Sequence, residues 1–112
     1  MANSKPRVFV TQEMDRLNYL PAEKFGSILF LTRNEFSPVR TSLSNIALIN
    51  TIRAKLKDFD PDVDFIVFSG SPTVAAAVFA ILGSETDHFT VLRWSNRDNM
   101  YSPITIDTKE KS

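Results

Sequence analysis

Short unbroken apolar runs alternate with longer stretches at helical spacing along this chain, and their order predicts the fold. Residues 7–12 (RVFVTQ), 27–32 (SILFLT) and 65–68 (FIVF) are runs bounded by polar or turn residues. An unbroken apolar run is the signature of a strand covered on both faces, as in a parallel sheet. Between the second and third runs, Leu43, Ile46, Ala47, Ile49, Ile52, Leu56 and Phe59 recur at helical spacing. They predict a helix from residue 42 to about 59, capped by Thr41 or Ser42. Asp60-Pro61 ends it, because a residue before proline avoids helical geometry.

A second helix follows the third run almost at once. Ser71 stands at the N-cap, Pro72 at the first helical position and Gly83 at the C-cap. Residues 74–82 (VAAAVFAIL) are apolar all round, which predicts a buried helix. Residues 88–94 (HFTVLRW) instead alternate, with Phe89, Val91 and Arg93 on one side and Thr90, Leu92 and Trp94 on the other. Residues 95–99 (SNRDN) are turn chemistry, and residues 100–107 (MYSPITID) form a last strand that Pro103 restricts to an edge. The connection 13–26 is polar, with one helical turn at 21–25 stopped by Gly26; Leu17, Tyr19, Leu20 and Phe25 are expected to anchor it to the core.

Strands alternating with helices call for parallel pairing and crossover connections. The expected architecture is a small Rossmann-like α/β fold, a mostly parallel sheet with flanking helices and an antiparallel C-terminal edge hairpin. One domain is expected over residues 7–107, with flexible tails at 1–6 and 108–112.

Composition narrows the function classes. The 112 residues carry 13 basic and 13 acidic side chains, for a net charge of zero. A general nucleic-acid binder would carry a basic surplus, so nucleic acid is not an expected partner. There is no cysteine, hence no disulfide framework and no thiolate metal site. No apolar run reaches the roughly 20 residues needed to span a bilayer, and MANSKPRVFV lacks the apolar run of a signal peptide. The expectation is a soluble protein with no membrane partner.

Four constellations are candidates for chemistry. Ser69, Gly70, Ser71 and Thr73 lie at the carboxyl end of a parallel strand and open a helix, a place suited to anions. There is no Walker lysine and no GxGxxG, so the ordinary reading is a tight turn and a cap. Glu13 and Arg33, with Gln12 and Glu35, follow the first two strands and would converge on Gly70 in a parallel sheet; a solvated rim is the ordinary alternative. His88 is the sole histidine, shows no Ser or Asp partner in the sequence, and reads as structural. Arg93, Trp94, Arg97, Met100 and Tyr101 on the hairpin are residue types enriched at protein interfaces, and could also stack on single-stranded nucleic acid. No catalytic set, metal site or cofactor motif is present, and no cofactor is expected.

The segments VTQE, YLPAEKFGSILFLT, FSP, DFDPDVDFIVFSGSP, VLRW and YSPITID resemble small tailed-bacteriophage proteins to which no activity is assigned. The resemblance runs from about Val8 to Asp107. It implies a viral origin and the cytoplasm of a bacterial host, and it transfers no site residues. The expected function is therefore that of a non-enzymatic phage accessory protein. It would act by self-association, as a homodimer, or by binding a host or phage protein. The alternative is a small nucleotide- or phosphate-binding domain, even an enzyme, centred on the 69–73 turn.

Overall fold

A computed structural model describes residues 5–110 of the chain; residues 1–4 and 111–112, the outer parts of the two expected tails, lie outside it. Five strands form one sheet in the order β2-β1-β3-β4-β5. They are β1 (Arg7–Val10), β2 (Ser27–Phe30), β3 (Phe65–Val67), β4 (His88–Ser95) and β5 (Met100–Asp107), with helices α1 (Leu43–Leu56) and α2 (Pro72–Glu85). The first four strands pair parallel, and β4 and β5 form an antiparallel hairpin in which Trp94 is opposite Tyr101. This is the α/β architecture with a C-terminal antiparallel pair that the alternation predicts.

Strand alternation divides the core into two. Phe9, Ile66 and Phe89 face α1 and α2, where they meet Leu48, Ile52, Val74, Val78 and Leu82. Val8, Val10, Val67, Leu92 and Tyr101 face the other way, and there the cover is the connection from β1 to β2, through Tyr19 and Ala22. That connection holds a 3-10 turn, Leu20–Phe25, whose Gly26 amide donates to the Glu23 carbonyl. Gly26 also lies against the N-terminal segment, since a Cβ there would be 2.4 Å from the Pro6 carbonyl oxygen.

Both helices begin as the sequence predicts and differ in what they bury. Ser42 caps α1 through the Ser44 amide, and Ser71 caps α2 through the amides of Thr73 and Val74. In α1, Leu48 is buried, whereas Leu43 and Ile46 are 80% and 57% exposed. Apolar residues lie on nearly every side of this helix, so spacing alone does not select the inward stripe; the sheet does. The expectation that α2 is buried all round is corrected: Thr73, Ala76, Ala80 and Gly83 face outward. Nothing among the described residues covers that side, and alanines tolerate exposure because they bury little surface. Gly83 is not the cap. The helix passes through it to Glu85, and Thr86 ends it with its amide on the Leu82 carbonyl. Packing of Ile81 and Leu82 outweighs the glycine cost of about 1 kcal/mol.

Asp64 locks the amino ends of the strands. Its side chain, 1% exposed, accepts from the Arg7 amide at 2.9 Å, the Arg7 guanidinium at 3.0 Å and the Asp60 amide at 2.8 Å. Asp60 in turn accepts from the Asp62 amide.

At the β5 edge, the Thr108 amide donates to the Asp87 carbonyl. The alternation of an antiparallel ladder then points the nitrogen of Pro103, paired with Leu92, away from the sheet. The edge lacks a donor where a further strand would need one.

Candidate functional site

Strand order fixes where side chains converge. From β1 the chain leads to β2 on one side, and from β3 to β4 on the other. The carboxyl ends of β1 and β3 therefore flank a switch point, the place in an open α/β sheet where ligands bind. Two arrangements lie at this end of the molecule.

The first is the turn before α2, which is filled by its own side chains. Thr11 Oγ1 donates to the Ser69 carbonyl and accepts from the Ser69 amide, at 2.8 and 2.9 Å. Gln12, 5% exposed, accepts from the Ser71 amide with Oε1 at 2.7 Å and donates to the Asn34 carbonyl with Nε2 at 2.9 Å. Gly70 adopts φ +81°, and a Cβ on it would come within 2.1 Å of Gln12 Oε1. Ser71 Oγ donates to the Glu35 carboxylate at 3.0 Å while accepting from the first amides of α2. A carboxylate thus already stands at the helix N-terminus, where an anion would bind. Arg33 turns aside, pairing with Glu13 at 3.6 Å and Asp15 at 2.6 Å. Gln12, Glu35, Ser69, Gly70, Ser71 and Thr73 are brought together, and Arg33 with Glu13 forms a separate exposed pair.

The second arrangement is a cleft of about 380 Å³ on the face opposite the helices. It is lined by Leu17, Asn18 and Tyr19 from the first connection, Phe68 and Ser69 after β3, and Trp94 and Tyr101 from the hairpin. Trp94 and Tyr101 meet edge to face at 4.9 Å, and Trp94 Nε1 donates to Asn96. The Tyr19 hydroxyl is 2.7 Å from Ser69 Oγ and accepts from the Met14 amide at 2.9 Å. Leu17, Phe68 and Trp94 leave 54%, 52% and 38% of their surface exposed. Burial pushes the Tyr101 phenol above its usual pKa, with the nearby Tyr19 phenol adding to the effect.

The hairpin residues divide. Trp94 and Tyr101 line this cleft, Arg93 and Met100 lie on the helix-facing side by strand alternation, and Arg97 is in the turn. Leu17 and Leu20 are not core anchors as expected. They are 54% and 62% exposed, because the polar stretch ahead of the 3-10 turn holds only Tyr19 inward. Phe68 lies past the end of β3 and is exposed, where the apolar run placed it within a covered strand. The adjacent Ser69-Gly70 is the one signal in the sequence that the strand ends early.

His88 does have acidic partners, which corrects the expectation. Nδ1 is 3.0 Å from Asp87 and Nε2 2.8 Å from Asp62, on the loop before β3. Hydrogen bonds donated by the protonated ring to Asp87 and then Asp62 raise the His88 pKa above 6.5, and the bond from His88 lowers that of Asp87. Among the described residues, no group of three or more His, Cys, Asp or Glu is placed to hold a metal ion, and no helix is long and apolar enough to cross a membrane.

No curated protein and no solved structure matches the chain. A family model described as phage Pam3 gp32-like protein matches residues 6–108.

Proposed function

The chain belongs to the phage Pam3 gp32-like protein family, and from that premise we propose that it is a non-enzymatic accessory protein acting inside the infected cell by binding another protein. The observation that carries this reading is the gathering of Leu17, Phe68 and Trp94, from three separate segments, around one cleft. Large apolar side chains left half exposed in one place mark an interaction surface, and Trp and Tyr are the residue types that dominate binding energy. The turn before α2 supports the same reading by contrast. The Ser69 and Ser71 amides and the Ser71 hydroxyl are already taken by Thr11, Gln12 and Glu35, with Glu35 at the helix N-terminus.

The test is the solution mass of the protein alone and with host lysate, by light scattering and affinity capture, compared with Phe68→Asp. A second copy or one specific partner, lost in the variant, supports the reading. A monomer that captures nothing, or capture indifferent to Phe68→Asp, defeats it.

A further inference from the structure

We infer that the cleft docks an uncharged, proline-bearing extended segment of another protein, with the Tyr101 hydroxyl donating to a backbone carbonyl of that segment. This rests on the protein-binding reading above and supplies the chemistry of the ligand.

Charge comes first. Leu17, Asn18, Tyr19, Phe68, Trp94 and Tyr101 line the cleft, and no Asp, Glu, Lys, Arg or His is among its lining residues. An ionic group entering it would lose water and find no counter-charge. The fitting occupant is neutral and apolar.

One buried polar group is left over. Tyr101 is only 8% exposed, and its hydroxyl has no hydrogen-bond partner among the described residues. No fully enclosed side-chain polar atom there lacks a partner, so this hydroxyl reaches solvent, through the cleft that Tyr101 lines. The other phenol is already spent, on Ser69 and the Met14 amide. Tyr101 therefore presents a buried hydroxyl without a partner, and a ligand that brings an acceptor satisfies it.

Backbone conformation then decides among peptide modes. A helical ligand has used most of its carbonyls internally. A strand added on the hairpin side of the sheet, next to this cleft, needs the β5 edge, where Pro103 removes an outward donor. A polyproline II segment has no internal hydrogen bonds, so its carbonyls are free. It is also preset in shape, and its rings pack on aromatic walls such as those of Tyr19, Trp94 and Tyr101.

Trp94 is the only tryptophan in the chain, so its emission reports the cleft directly. The probe is the end-blocked peptide Ala-Pro-Pro-Leu-Pro-Pro-Ala, titrated against the full chain. The expected result is a saturable emission shift, with affinity weakened about 3- to 10-fold in Tyr101→Phe, the range for one lost hydrogen bond. Phe68→Asp, at an exposed position, should abolish the shift while the far-ultraviolet circular dichroism spectrum stays unchanged. No shift up to roughly 1 mM overturns the inference, as does equal affinity for an alanine-for-proline peptide or for Tyr101→Phe. If the peptide fails while partner capture still depends on Phe68, this inference falls and the protein-binding reading stands. If capture ignores Phe68→Asp, the reading itself falls.

Discussion

Gln12 Oε1 lies 2.1 Å from the point that a Cβ on Gly70 would occupy, while it holds the Ser71 amide at 2.7 Å. The strand that begins the fold is thereby tied to the helix that completes it, and only glycine leaves room for the tie.

Gly70→Ala should therefore destabilise the protein by about 2–4 kcal/mol. About 1–3 kcal/mol is backbone strain at φ +81°. A further ~1 kcal/mol is the hydrogen bond lost as Gln12 is displaced. Urea denaturation monitored by circular dichroism measures it. A loss under about 0.5 kcal/mol, the range of an ordinary surface change, would show that the tie carries no stability.

Asp64→Ala removes the acceptor for two backbone amides and the Arg7 guanidinium. The expected cost is about 2–4 kcal/mol, mainly from the backbone amides left without an acceptor, because the Arg7 side chain is 32% exposed. Asp64→Asn, which keeps an acceptor oxygen, should cost less. Equal midpoints for the two variants would refute the account.

Leu48 and Leu43 give a contrast within one helix, at 6% and 80% exposure. Leu48→Ala should cost about 2–5 kcal/mol, and Leu43→Ala less than about 0.5 kcal/mol. Sequence spacing ranked Leu43 among the core positions and passed over Leu48, so the pair tests whether the sheet or the periodicity sets the buried stripe.

His88 gives a pH dependence with a defined sign. Asp87 and Asp62 raise its folded pKa above 6.5, so its contribution is fully present below 6.5 and is lost as pH rises through the folded value. The stability gap between the native chain and Asp62→Asn should narrow from pH 6 towards pH 9. An NMR titration placing the His88 midpoint at or below 6.5 would contradict it.

Much of this was legible in the residues. The apolar runs, Ser42, Ser71 and Pro72 as helix starts, and Pro103 on an edge strand all follow from local chemistry: strand pleat, free amides at a helix end, a missing N–H. The Ser69-Gly70 turn was legible as a turn for the same reason. The approach of Gln12 and Glu35 to the Gly70 turn was legible from the parallel strand order, but the bonds they make to Ser71 were not. The Asp62 partner of His88 was not legible either, since it comes from elsewhere in the chain and no spacing rule connects the two.

The sequence by itself determined the strand-helix alternation, the parallel sheet with its C-terminal hairpin, and the absence of cysteine chemistry, because these depend on periodicity and composition. Tertiary structure alone decided which apolar residues are buried and where Phe68 and Leu17 meet Trp94. An apolar side chain carries no record of its partners. Two helices cover one face of the sheet and a short polar connection covers the other. That unequal cover is what leaves the aromatic cleft open.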